Sequence, residues 1–188
     1  MLRTQESEAL KGLAMLKQKT HWEKAADIVR DAGGKIVGRT RLQKIAYLLQ
    51  LAGIGDGFSF EYKHFGPYSD DLAAAMLLAE AFGLVHEEEK PTSWGGWYST
   101  YSASANVEGS GIPARHALAE EATTVGAVEL ELAATAAYLR KVEGFDDAWA
   151  ETARLKPEKA SPERLEKAKA AYARLRQIST PQPLPDLG

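Results

Sequence analysis

The chain contains no cysteine, which excludes disulfides and thiolate metal sites and suits a reducing compartment. It has no apolar run near the ~18 residues needed to cross a bilayer, and the opening Met1-Leu2-Arg3-Thr4-Gln5-Glu6 lacks the apolar core of a secretion signal. We therefore expect a cytoplasmic protein with no membrane partner. Histidine is scarce, with four residues, and His21, His64, His86 and His116 show no metal-ligand spacing. Neither H-x-x-x-H nor H-E-x-x-H occurs. Gly33-Gly34-Lys35 lacks the spacing of a phosphate loop, and Ser110 between Gly109 and Gly111 has no flanking strand and helix to make a nucleophile elbow. No pair of carboxylates stands at a catalytic spacing. These absences lead us to expect no enzyme, no cofactor and no metal.

What is present is a core. With 188 residues, 45% of them hydrophobic, the chain can bury one domain with an appended piece. Its charge is uneven. Residues 1–69 hold 11 Lys/Arg against 7 Asp/Glu, and residues 70–188 hold 12 against 19, giving +4 and −7 within a net charge of −3. A dedicated nucleic-acid binder is more often basic throughout, with a pI above about 9.

The apolar periodicity predicts a weak helix near 6–17, within an N-terminal piece of residues 1–20. A helix over 22–31 should follow, stopped by Gly33-Gly34, and then a short strand at Lys35-Ile36-Val37. The next helix opens at Gly38-Arg39-Thr40 and carries Leu42, Ile45, Ala46 and Leu49 at i, i+3, i+4, i+7. The alternation Phe58-Ser59-Phe60-Glu61-Tyr62 predicts a strand, and Gly66-Pro67 a sharp turn. Ser69 suits an N-cap, with Asp70 and Asp71 in the first turn of a helix to Phe82 that places Leu72, Met76 and Leu77 inward. Two strands, 84–87 and 97–101, then make a hairpin with a long tip over 88–96. Residues 102–113 are rich in Ser, Gly and Asn and read as a linker. Helices follow near 125–140, 146–155 and 162–177, with Ser161 capping and Pro162 opening the last.

The expected architecture is mainly α with a small β-hairpin, α+β in class: a winged-helix-like core over 21–112, a C-terminal helical region over 113–178 and an extended tail over 179–188. The hairpin would be the wing.

The segment Gly38-Arg39-Thr40-Arg41-Leu42-Gln43-Lys44-Ile45-Ala46-Tyr47-Leu48-Leu49-Gln50 is similar to a signature of the YwgA-like family of bacterial and archaeal proteins. The likeness continues through Phe60-Glu61-Tyr62, Phe65-Gly66-Pro67-Tyr68-Ser69, Gly83-Leu84-Val85 and the helix 130–139, and so spans most of residues 35–155. More distantly, the chain resembles the Panacea or SocA-like antitoxin domain, which shares an "LQK" helix and a "GP" turn. That resemblance implies a helical domain that neutralises a toxin or adapts it to a protease, without catalysis of its own.

For function we expect a non-catalytic interaction module, antitoxin-like or an adaptor, that binds a protein partner, which the antitoxin resemblance would make a toxin. Arg39, Arg41 and Lys44 form the densest cationic cluster. Tyr47 lies on the same helix, and His64, Phe65, Gly66, Pro67, Tyr68 and Ser69 form the turn. Trp94 and Trp97 on the hairpin are aromatic anchors of the kind that dominate interfaces. The alternative is a winged-helix DNA-binding regulator, dimeric through its C-terminal helices. Against it, the helix 69–82 contains no Lys or Arg, although cationic side chains normally supply the phosphate contacts.

Overall fold

The computed structural model describes residues 19–93 and 95–188. Among them the chain forms seven α-helices and two small antiparallel sheets. The helix expected near 6–17 falls outside the described residues, which take in only Lys19 and Thr20 of the N-terminal piece 1–20.

Helix α1 (His21–Asp31) starts in a capping box. The Thr20 hydroxyl accepts from Glu23 N, and the Glu23 carboxylate accepts in turn from Thr20 N. That satisfies two of the amides a helix start leaves orphaned. Strand β1 (Lys35–Val37) leads into α2 (Arg39–Leu51), in which Leu42 to Leu49 are all buried. Strands β2 (Glu61–Lys63) and β3 (Gly66–Tyr68) pair with each other, Tyr62 opposite Pro67. Helix α3 (Asp70–Ala81) follows, then β4 (Val85–Pro91) and β5 (Trp97–Ala103). The larger sheet has the order β1-β5-β4, with Ile36 opposite Tyr101 and Glu87 opposite Tyr101 on its other side. Helices α4 (Pro113–Thr124), α5 (Ala127–Tyr138), α6 (Ala148–Leu155) and α7 (Pro162–Arg176) complete the chain, α5 widening into a π-helical turn over Leu139–Glu143.

Several local expectations are corrected. Gly66-Pro67 lies within a strand, and the reversal comes before it at His64-Phe65. A two-stranded ribbon is all edge, so Pro67 costs no interior ladder bond. The hairpin strands reach Pro91 and begin at Trp97, which leaves a shorter tip. The run Glu87-Glu88-Glu89-Lys90 does not stop β4, because an edge strand carries charge on its open side. Helix α4 occupies 113–124, where no separate helix was expected, so the C-terminal region has four helices rather than three.

The buried apolar side chains make one hydrophobic cluster drawn from both regions, with Val29, Ile45, Leu48 and Leu72 beside Leu118, Leu130, Leu132 and Leu175. A buried ion network joins the N-terminal helices to α4. Arg115 Nε meets Asp31 Oδ2 at 2.6 Å, its Nη2 meets Asp56 Oδ2 at 2.7 Å, and its Nη1 donates to Ile54 O at 3.1 Å. The tail lacks regular structure but is packed. Gln182 N donates to Ala52 O, the Tyr172 hydroxyl donates to Pro185 O, and Leu184 and Leu187 are buried. No helix among the described residues is long and apolar enough to cross a membrane.

Candidate interaction surface

The residues expected to dock a partner divide sharply by burial. Lys44 is 1% exposed, and Tyr47, Gly66, Pro67 and Ser69 are buried with it. This corrects the proposed docking surface, which loses these five positions in the folded chain. Their contacts explain why. Lys44 Nζ donates to Pro67 O at 2.7 Å, and Gln43 clasps Ser69 from both sides: Nε2 donates to Ser69 O at 2.9 Å and Oε1 accepts from Ser69 N at 2.8 Å. Ser69 in turn caps α3, its hydroxyl accepting from Leu72 N at 3.1 Å. The helix motif and the turn motif therefore recognise each other, and their joint product is the placement of α3. Gly66 is required where it stands. Its φ is +83°, and a Cβ there would strike Thr135 Oγ1 on α5, so only glycine lets the ribbon approach that helix.

Beneath the turn lies a buried charge network. Glu131 on α5 accepts from Lys156 Nζ at 2.9 Å on Oε1 and from Lys159 Nζ at 2.8 Å on each oxygen, and Lys156 also donates to His64 O at 2.9 Å. Burial opposes ionisation of Glu131, but the ammonium groups of Lys159 and Lys156 outweigh it and hold its carboxyl below the usual range. Burial pushes the Lys44 amine down to about 7, with Glu131 opposing and Lys156 and Lys159 assisting. The Tyr47 hydroxyl and Thr135 Oγ1 are buried without a hydrogen-bond partner. Burial first, then the neighbouring Tyr138 and Tyr172, push the Tyr47 phenol up. The ammonium donors here face carbonyls and a carboxylate of the chain itself, which makes the network a clamp between the turn and the C-terminal helices.

Arg41 is half-buried and serves the fold as well. Its Nη1 donates to Thr123 O at 2.8 Å and to Val125 O, closing carbonyls at the end of α4. Arg39 is exposed yet occupied, Nε donating to Glu87 Oε1 and Nη2 to Glu89 Oε1, both at 2.8 Å. Tyr68 is half-buried. The exposed members of the expected set are Arg39, His64, Phe65 and Trp97, and Trp94 lies outside the described residues. Phe65 stands at the tip of the β2–β3 ribbon, with Lys159 Nζ 4.5 Å from its ring centroid and the His64 ring edge-on at 4.7 Å.

The surface that remains centres on α3. Leu72, Ala75, Met76 and Ala79 face inward, and Ala74, Leu77, Leu78, Ala81 and the following Phe82 face outward. Leu77 is 67% exposed, which corrects its expected inward placement, because five residues of helix set it about 140° around the axis from the buried Leu72. Phe82 is 60% exposed, its ring 5.2 Å from that of Trp22 on α1, and Trp97 on β5 is 70% exposed. A groove of roughly 320 Å³ runs beside Leu77 between α2, α3 and the sheet, lined by Arg39, Gln43, Tyr68, Glu87 and Tyr101 among others. Sequence reasoning missed Leu77, Leu78 and Phe82 as surface residues. The available signal was a helix apolar on both sides, which a helix at a protein surface should not be. Among the described residues no group of three or more His, Asp or Glu is placed to hold a metal ion. Scanned against family models and against curated proteins, the chain matches none.

Proposed function

We propose that the chain is a non-catalytic interaction module built on a winged-helix-like core, and that it binds a protein partner in the manner of an antitoxin or adaptor. The order helix, strand, helix, helix, hairpin with the sheet order β1-β5-β4 supports the winged-helix reading, the β2–β3 ribbon being inserted before the third helix. The resemblance of the "LQK" and "GP" motifs to antitoxin domains supports a toxin as the partner.

One observation carries the choice of a protein over DNA. Where a DNA-reading winged helix presents cations to the major groove, α3 offers Asp70 and Asp71 followed by Leu77, Leu78 and Phe82. Phosphate contacts dominate the affinity of DNA binders, and α3 has no Lys or Arg to make them. Exposed apolar area bordered by polar residues marks protein docking instead. Self-association through the C-terminal helices has less in its favour, since the outward side of α7 carries Arg164, Lys167, Lys169 and Arg174 beside Glu163 and Glu166.

The test is co-purification from the native host. A stoichiometric protein partner should accompany the chain, and host genomic DNA should give no specific, salt-sensitive electrophoretic shift between about 50 and 200 mM salt. A specific shift with no protein partner would overturn the assignment in favour of the regulator.

A further inference from the structure

Resting on that protein-binding reading, we infer that the outward face of α3 receives a cationic amphipathic helix of the partner. Three features of the face set the chemistry of its occupant. The first is shape. Ala74, Leu77, Leu78 and Ala81 recur at i, i+3, i+4, i+7 and run into Phe82, a stripe of the spacing by which a helix presents itself to another helix. The two alanines leave low ground on either side of the leucine pair, where larger apolar side chains of a partner can seat.

The second is rigidity. Phe82 is held against Trp22 of α1 at 5.2 Å between ring centroids, and Glu80 accepts from Glu87 N through Oε1 at 3.1 Å, tying the second half of α3 to β4. The anchors are thus positioned before anything binds, which lowers the ordering cost of association.

The third is charge. Helix α3 bears Asp70, Asp71 and Glu80 and no cation, and the face of β4 turned towards it adds Glu87 and Glu89, the alternation of a strand sending Glu88 and Lys90 to the other face. The cations paired with this group are already engaged: Lys63 with Asp70, and Arg39 with Glu87 and Glu89. Five carboxylates therefore face two cations. A second copy of this chain laid on the same face would oppose that surplus with its own, and like charges across an interface cost affinity. A helix carrying Lys or Arg on the borders of an apolar stripe meets both features at once.

Purified full-length chain, followed by tryptophan fluorescence and calorimetry, would be titrated with three synthetic peptides of about four helical turns. One carries Leu and Lys at helical spacing, one has Glu in place of each Lys, and one scrambles the Leu/Lys sequence. The Leu/Lys helix should bind at least about tenfold more tightly than the other two and should weaken as salt rises. The double variant Leu77→Ser, Phe82→Ser, checked for unchanged melting temperature, should lose at least about tenfold in affinity, an expectation in keeping with two central anchors. Equal binding of the scrambled peptide, or full affinity in the double variant, would overturn the inference. It would also fall if the chain sediments as a dimer that the double variant dissociates, which would make the occupant a second copy. Binding only after removal of residues 1–18 would overturn it as well, by assigning the face to this chain's own N-terminal segment. Failure of these titrations would leave the co-purified partner standing, so the two readings are judged separately.

Discussion

Replacement of Lys44 by methionine offers a sharp test of the buried network, because its effect on stability should reverse with pH. The amine is 1% exposed and its pKa is pushed from an ordinary 10.5 down to about 7 by burial, against the pull of Glu131. Between those two values the unfolded chain holds a proton that the folded chain does not, so stability rises with pH across that window and is lost as pH falls towards 7. At about 1.36 kcal/mol per pH unit, the cost of carrying the proton into the interior is at most about 5 kcal/mol at about pH 6. Methionine keeps the length of the side chain and removes that cost, but it leaves Pro67 O without the ammonium donor at 2.7 Å, a loss of about 1–3 kcal/mol. Lys44→Met should therefore be more stable than the parent by up to about 2–4 kcal/mol at about pH 6, and equal or less stable at about pH 10. Urea unfolding of both chains at several pH values measures the difference, in which titrations common to the two cancel. A difference that stays constant from about pH 6 to 10, or a methionine advantage that grows with pH, would refute the assignment of a desolvated amine at this position.

Other substitutions probe the remaining claims. Leu72→Ala, at a fully buried position of α3, should cost about 2.7–5 kcal/mol in denaturant unfolding, whereas Leu77→Ser on the opposite side should change stability by only about 0.5 kcal/mol. Comparable losses at the two positions would mean that Leu77 is not free. Arg115→Met strands Asp31 and Asp56 in the interior and should cost about 3–5 kcal/mol in the same assay; a near-neutral result would show the three side chains to be hydrated. Gly66→Ala meets both a left-handed backbone and Thr135 Oγ1, and should lower the melting temperature steeply. Adding Thr135→Ala should recover the steric part and leave about 1–3 kcal/mol of backbone strain, whereas a double variant as unstable as the single one would remove Thr135 from the explanation.

The parts of the fold legible in the sequence are those governed by short-range chemistry. Helix α2 follows from Leu42, Ile45, Ala46 and Leu49, and α3 begins at Ser69 because its hydroxyl caps Leu72 N. Strand β1 lies where it was expected, and the hairpin is present there too, though its strands run on to Pro91 and Ala103. Helix α4 was hidden. Pro113 at its start matches an N-terminal signal, but the preceding Ser/Gly stretch and the closing Thr123-Thr124 blur its limits, and the buried Arg115 in its first turn disguises its inner face.

The candidate site was less legible still. Lys44 looks like an ordinary surface lysine until Glu131, Lys156 and Lys159 arrive from more distant parts of the chain. The two motifs that suggest a docking surface turned out to hold each other, through Gln43 with Ser69 and Lys44 with Pro67. The exposed residues of α3 are hard to find in the sequence because leucine and phenylalanine suggest interior placement, and only the helical phase, which sets Leu77 about 140° around the helix from Leu72, places it on the outward side.

Helix α2 has a consequence for how the molecule comes apart. Eight consecutive residues, Leu42 to Leu49, are screened from water on every side, so this segment is a party wall whose two rooms lie in the earlier and later halves of the chain. Loosening either half bares the wall to solvent and takes away support from the other. Heat and denaturant should therefore dismantle the described residues in a single step, with no half-folded species accumulating, and any movement that accompanies partner capture must be confined to side chains hung on the outside of that wall, such as the exposed rings of Phe65 and Trp97.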